Sequence, residues 1–409
     1  MISVEEARAR ILAGLTALPA EQVSVAAGLG RVLAGDVVAR LTQPSHDVSA
    51  MDGYAVRAVD VASVPANLRV VMEIAAGRLP ERPIEAGEAA RIFTGAALPA
   101  GADTIIIQEN TSRDGTGGDA DQVTITESAD SGRYVRPAGL DFRAGKTGIT
   151  AGRRMTVRDV GLAAAMNVPW LMVHRRPRIA ILSTGNEIVM PGEPLAPGQI
   201  VSSNSLALAA FVTAHGAEAV LLGNAPDQAD ALAAMAAAAR GCDLLVTSGG
   251  ASVGKHDLIR STLGQEGMTL DFWQIAMRPG KPLLFGRLGD LPVLGLPGNP
   301  VSTLVCAQVF LAPAIDRLAG LAAGEPATVM ARVARDLAAN DQRQDYLRTR
   351  LESDASGDWL ATPFERQDSA MLNRLADADG LLVRPPGAPA LQAGDRAPVI
   401  RFAGGPLPL

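Results

Sequence analysis

Four segments of the chain combine glycine, hydroxyl and charged residues in a way that could hold an anion. They are Ser183-Thr184-Gly185-Asn186-Glu187, Ser248-Gly249-Gly250-Ala251-Ser252-Val253-Gly254-Lys255-His256-Asp257, Met277-Arg278-Pro279-Gly280-Lys281-Pro282 and Leu296-Pro297-Gly298-Asn299-Pro300. Glycines such as Gly249 and Gly250 let backbone N–H groups approach a phosphate. The hydroxyls of Ser183, Thr184 and Ser252 donate to its oxygens, and Arg278 with Lys281 supplies charge. Carboxylates at the same place would repel that anion unless a divalent cation lay between them, which points to Mg²⁺ held by Asp257 and Glu187. A lone glycine loop can be no more than a tight turn, but several on one sheet edge favour the anion site.

Other motifs resolve into decoys. Gly249, Gly254 and Lys255 satisfy the spacing of a nucleotide-binding P-loop, yet His256 stands where Ser or Thr must hold the magnesium. Gly145-Lys146-Thr147 lacks the motif's first glycine, because position 140 is leucine. His46, His174, His215 and His256 show no metal-ligand spacing, and no G-x-S-x-G elbow follows a strand of the alternating region. Cys242 and Cys306 lie in unrelated contexts and read as buried thiols in a reducing cytosol.

The elements that must position the four segments follow from hydrophobic periodicity. Between about 177 and 320, short apolar strands at 179–182, 219–222, 244–247 and 292–296 alternate with helices at 206–215, 229–240, 258–263 and 301–318, with 269–277 extended. Repeated βα units predict a parallel sheet covered by helices on both faces, and ligands of such sheets sit beyond the carboxyl ends of the strands. All four segments fall at that edge or between its strands. Asn299 as N-cap with Pro300 at the first helical position starts the last helix. Upstream, Ser3 with Glu6 forms a capping box, and Ala7, Ile11, Leu15 and Leu18 follow at helical spacing. Short β-rich runs at 69–74, 104–108 and 122–126 come next, the last two joined by the hairpin-like loop 114–119, and a helical run covers 157–166. Strands at 328–334, 345–351, 381–384 and 398–402 predict a final all-β domain.

The expected architecture is therefore α/β plus β, in four parts. Residues 1–48 with 140–176 form an N-terminal linking body, 49–139 an inserted β-rich domain, 177–322 the α/β domain and 323–409 the C-terminal β domain. The 409 residues are 48% hydrophobic and 20% charged, a globular balance, and with aromatics at 3% the cores must be built from Ala, Val, Leu and Ile. The net charge of −6 argues against a duplex nucleic-acid binder. Charged residues at Glu5, Glu6, Arg8 and Arg10 interrupt any leader-like stretch, and no run approaches the ~18 apolar residues of a membrane span, so a cytoplasmic protein without membrane contact is expected.

Read in order, Met51-Asp52-Gly53-Tyr54-Ala55, Phe93-Thr94-Gly95-Ala96, Ser183 to Glu187, Ser248 to Gly254, Arg278 to Pro282 and Leu296 to Ser302 resemble the molybdopterin molybdenumtransferases, the bacterial MoeA family related to the gephyrin E domain. The resemblance implies insertion of molybdate into adenylated molybdopterin with Mg²⁺-dependent hydrolytic release of AMP. It also implies an elongated homodimer in which Asp52 and Thr94 of one subunit complete a site on the other. By the same resemblance Asp257 and Glu187 fall on site carboxylates, Lys281 on a site cation, Asp227 on a further acidic position, and Arg348 and Ser369 on a basic and a hydroxyl position near the cleft. Pro297, Asn299 and Pro300 belong to the substrate-binding rim. The chain departs from the pattern at Arg278 for lysine, Asn186 for aspartate, Lys255 for an acidic residue and Asp368 for glycine, which bears on metal affinity and anion geometry. Molybdopterin adenylyltransferase, which shares the α/β domain, and a scaffold or peptide-binding protein of the gephyrin E type are the competing readings.

Overall fold

Residues 179–182, 244–246 and 293–294 are uninterrupted apolar runs, as central strands covered on both faces require. In the computed structural model, which describes residues 1–112, 122–249, 258–353 and 357–402, they are the centre of a six-stranded sheet. The order is Glu218–Ala225, Arg178–Thr184, Leu244–Ser248, Leu291–Leu296, Leu284–Leu288 and Met268–Trp273. Alternation sends Ile179 and Ile181 into one core with Leu208, Val212 and Phe310, and Ala180 and Leu182 into the other with Leu232, Ala236 and Leu263. Helix Val4–Ala13 buries Val4, Ala7 and Ile11 in the first of these cores. Its Ser3 accepts from the Glu6 N–H at 3.0 Å as the capping box requires, and the helix ends at Gly14, before Leu15.

The expected parallel sheet is present, with one strand reversed within it. The first four strands run parallel, but Leu284–Leu288 is antiparallel to both of its neighbours. A two-residue turn at Gly289-Asp290, with Gly289 at φ 59°, joins it to Leu291–Leu296. The expected helix 301–318 is one apolar rod with a wide π turn at Ala307–Leu311, where Pro313 removes a backbone donor and its ring needs room. Pro300–Leu318 is long and apolar enough to cross a membrane, contrary to the expectation from sequence, yet 78% of its apolar window is buried, so it is read as a core helix.

The C-terminal strands close into a ring. Gln344–Ser353 pairs with Trp359–Pro363 on one side and Gly380–Arg384 on the other, while Thr328–Val333 and Arg396–Arg401 complete the circuit. Closure leaves no free edge, and Ala331, Val333, Ala361, Leu382 and Val399 fill the interior. A short helix, Leu372–Ala376, interrupts the expected all-β character. From the α/β domain, Met277–Arg278 pairs in parallel with Gln344 and Asp345.

Contacts divide the chain into two compact units, one of Met1–Gly35, Ala151–Val157 and Met172–Leu409, the other of Asp36–Thr150 and Arg158–Leu171. The second unit holds a six-stranded sheet in the order Thr104–Ile107, Gly53–Val56, Glu88–Ile92, Ala66–Ile74, Gln122–Ile125 and Thr111–Ser112. Tyr54 and Val56 enter one of its cores and Ala55 the other. Thr111–Ser112 and Gln122–Ile125 pair antiparallel, while the loop 114–119 between them lies outside the described residues.

Candidate functional site

Parallel register brings three strand ends side by side, because Ser183 is opposite Ser248 and Ser248 opposite Leu296. Their following loops wall a cavity of about 340 Å³ lined by Ser183, Thr184, Glu187, Ser248, Gly249, Gly298, Asn299 and Pro300, together with Ile188 and residues 200–204. Ser183 and Thr184 are 5% and 6% exposed, and their hydroxyl oxygens have no hydrogen-bond partner among the described residues. Gly249 has φ +93°, and a Cβ there would meet the Thr184 carbonyl oxygen at 2.8 Å, so only glycine lets the two loops meet. The N-termini of helices Asn204–Ala214 and Pro300–Cys306 both reach the cavity, where the positive ends of their dipoles favour an anion.

Asn204, not among the residues expected from sequence, lines the cavity. Its amide donates to Ser248 Oγ at 2.9 Å and to the Gly298 carbonyl at 2.7 Å, which pins two of the three loops to the helix start. The run Ser202-Ser203-Asn204 ahead of an apolar helix was the available signal. Asn299 has N-cap backbone geometry, but its side chain makes no cap bond and donates instead to Ser369 Oγ at 2.8 Å. The Val301 N–H also donates to the Ser369 carbonyl, so Ser369 stands at the cavity's Asn299 corner. The buried Pro297 keeps its carbonyl for the Thr303 hydroxyl at 2.6 Å rather than for the cavity.

Glu187 lines the cavity, and Gly185 at φ +140° makes room for its carboxylate. Asn186 and Asp227 clasp each other: the Asp227 N–H donates to Asn186 Oδ1 at 3.0 Å and the Asn186 N–H to Asp227 Oδ2 at 3.4 Å. A neutral side chain at 186 can sit there without charge repulsion. Gly250, Ser252 and Asp257, with Lys255 and His256, lie outside the described residues. Among the described residues no group of three His, Cys, Asp or Glu side chains could hold a metal ion.

The two expected rim cations diverge. Arg278 does not line the cavity, because its guanidinium donates to Asp341 at 3.2 Å, to Asn340 at 3.3 Å and to Asp345. Half-buried Lys281 has no side-chain hydrogen bond or ion pair among the described residues, and it too is absent from the lining. Arg348 is 0% exposed, and none of its three guanidinium nitrogens has a partner among the described residues. Burial lowers its pKa, against a weaker pull from Asp368. Gln367 bonds both the N–H and the carbonyl of Arg348, each at 3.0 Å, tying the segment that carries Asp368 and Ser369 to the ring.

In the second unit, Asp52 accepts from the Thr94 N–H at 2.7 Å and the Thr94 hydroxyl at 2.8 Å, both on Oδ1. Chiefly the backbone bond, then the hydroxyl, hold the carboxyl below its usual pKa. Beside them Arg91 lies over the rings of Tyr54 and Phe93 at 5.1 and 5.0 Å and donates to Gly53 O and Gln108 Oε1. Gln108 in turn donates its N–H to the Asp52 carbonyl. Arg91 and Gln108 were not singled out from sequence, because each looks like an ordinary polar residue on a strand.

The described histidines have structural partners. His174 Nδ1 lies 2.7 Å from the Leu18 carbonyl, His215 Nδ1 2.8 Å from that of Phe211, and His46 Nδ1 2.8 Å from Ser45 Oγ. Cys306 is buried, which pushes its thiol pKa up.

Comparison with known proteins matches three family descriptions along the chain: "MoeA N-terminal region (domain I and II)" over residues 2–167, "Probable molybdopterin binding domain" over 180–317, and "MoeA C-terminal region (domain IV)" over 330–402. A molybdopterin molybdenumtransferase of Nostoc sp. is 38% identical over 392 residues, covering 93% of this chain and 88% of that protein. Molybdopterin molybdenumtransferase 2 of Mycobacterium tuberculosis is 36% identical and covers 98% and 99%. A crystal structure of a MoeA molybdopterin biosynthesis protein from Pyrococcus superposes with a TM-score of 0.83 at 32% identity, over 99% of this chain and 100% of that one.

Proposed function

Since the chain belongs to the MoeA family of molybdopterin molybdenumtransferases, transferases of molybdenum cofactor biosynthesis, we propose that its sheet-edge cavity takes the phosphate-bearing part of adenylated molybdopterin, where molybdate is inserted and AMP is released by hydrolysis. The observation that carries this reading is the pair of buried, unpartnered hydroxyls of Ser183 and Thr184 between two helix N-termini. Hydroxyls without a protein partner are available to donate to phosphate oxygens. Lys281 and Ser369 are proposed to meet the substrate from the neighbouring segments, whereas the fully buried Arg348 does not reach the cavity.

Glu187 is a carboxylate in a cavity otherwise suited to an anion, and a hard divalent cation between the two would offset their repulsion. Glu187 and Asp257 would hold Mg²⁺, which when bound supplies charge neutralisation between their carboxylates and the phosphate oxygens. The same reading makes the enzyme a cytoplasmic homodimer, with Asp52 and Thr94 contributed in trans. The matches to both MoeA-specific regions, 2–167 and 330–402, favour it over an adenylyltransferase, which the central domain alone would fit. The test is AMP release from adenylated molybdopterin. Release that requires Mg²⁺ and yields molybdenum-loaded product with molybdate present supports the proposal, and turnover indifferent to Mg²⁺ refutes the assignment of the carboxylates.

A further inference from the structure

Three neighbouring strands of the second unit, Thr104–Ile107, Gly53–Val56 and Glu88–Ile92, carry the Asp52–Thr94 pair at their ends. Asp52 stands just before the middle strand, and Thr94 just past the third. Both residues are exposed, and among the described residues the Asp52 carboxylate is bonded only by the Thr94 N–H and hydroxyl. An exposed side chain at a strand entry keeps one direction only if the backbone beneath it is held.

Arg91 supplies that hold. Strand register places it directly opposite Tyr54, and Phe93, two residues on, shares its face, so the guanidinium lies over both rings at 5.1 and 5.0 Å. From there its fork reaches over the middle strand. It donates to the Gly53 carbonyl at 3.2 Å and to Gln108 Oε1 at 2.8 Å, and the Gln108 N–H donates to the Asp52 carbonyl at 3.2 Å. The carbonyls of Asp52 and Gly53 are thereby both tied to Arg91, one through Gln108 and the other directly. Gly53 is also pressed on its neighbour, since a Cβ there would meet the Ile106 carbonyl oxygen at 1.9 Å. Among the described residues Arg91 forms no ion pair that would draw its fork elsewhere.

We propose that Arg91 is the positioning residue of the Asp52–Thr94 pair, fixing the backbone from which the Asp52 carboxylate is presented to the substrate. This rests on the function proposed above, which brings Asp52 to the site. After the larger effect of the two Thr94 bonds, the charge of Arg91 also lowers the Asp52 pKa.

Amide hydrogen exchange reads this arrangement without substrate, because the Thr94 N–H is protected by the carboxylate it meets. Arg91→Gln should speed Thr94 exchange about threefold or more, and should add nothing in an Asp52→Ala background, where the acceptor is already gone. Amides where Ala66–Ile74 pairs with Gln122–Ile125, on the far side of the same sheet, should keep their wild-type rates. Faster exchange there as well would mark Arg91 as a support of the whole sheet and overturn the proposal. Arg91→Lys keeps the charge but not the fork, so it should behave as Arg91→Gln does. AMP release by both variants should fall about tenfold or more. Thr94 exchange at the wild-type rate in Arg91→Gln, effects that simply add to those of Asp52→Ala, or Arg91→Lys indistinguishable from wild type would each overturn the proposal, as would full AMP release by Arg91→Gln where Asp52→Ala has none. If wild type itself releases no AMP the proposed function fails, while the exchange cycle still decides the place of Arg91.

Discussion

Ser183 and Thr184 keep their hydroxyls buried without a protein partner among the described residues, a cost to folding that a bound oxyanion would offset. Their removal should therefore separate binding from stability. Ser183→Ala with Thr184→Val is expected to weaken substrate binding by about 1–3 kcal/mol while leaving thermal stability equal or higher, because no hydrogen bond between described residues is lost. A melting temperature that drops in parallel with affinity would show that the hydroxyls serve the fold. Glu88 in the second unit illustrates the opposite case, a buried carboxylate fully partnered. Hydrogen bonds from Arg82, helped by the Glu85 N–H and Arg69, hold its pKa at about 2. A folded value below the unfolded one stabilises fully above the ordinary glutamate range, and that contribution disappears as pH falls toward about 2. Melting curves across this window should show wild type losing stability faster than Glu88→Gln; parallel curves would refute the linkage.

At the level of elements, the segment 277–282 is fastened to the C-terminal ring rather than left at the rim. Met277–Arg278 extends one end of the ring strand in parallel, and Arg278 spans Asp341, Asn340 and Asp345. Asp345 is only 4% exposed, so truncating Arg278 leaves a buried carboxylate without its cation. Arg278→Ala should destabilise by about 1–3 kcal/mol, and Asp345→Asn in that background should recover part of the loss. A double-mutant cycle in denaturant measures the coupling, and strictly additive effects would exclude the clasp. Asp341 is held at about 2 mainly by Arg343, with Arg278 contributing, so it remains charged as a partner through the neutral range. Lysine, a point charge on a flexible stem, could not span the same acceptors, which gives the departure at position 278 a structural use.

For the whole molecule, the decisive question is whether Asp52 and the sheet-edge carboxylates act in one chain or two. Asp52 belongs to one compact unit and Glu187 to the other. If sites are shared across a two-fold dimer, Asp52→Ala and Asp257→Ala homodimers should both be inactive. Mixing them after dissociation should restore roughly a quarter of wild-type AMP release, because half the dimers are then mixed and each carries one intact site of two. Activity that stays at the single-mutant level despite verified subunit exchange would assign both residues to the same chain.

Periodicity alone determined much of this protein. The apolar runs at 179–182 and 244–246 and the helices between them made the α/β domain legible, since strands buried on both faces read as near-continuous apolar stretches. Glycine and hydroxyl residues just past those strands located the cavity, because parallel strands deliver all their carboxyl ends to one edge. What tertiary structure decided was where long side chains go. Nothing local distinguishes an arginine aimed at a ligand from one aimed at Asp345, since that partner is 67 residues away and is brought close by the closing of the ring. The reversed strand Leu284–Leu288 was missed for a related reason: its short apolar run fits either direction, and only the Gly289-Asp290 turn marks the reversal. The floor hydroxyls could be named from sequence, but their burial without partners depends on the packing of three loops whose contact requires a glycine at 249.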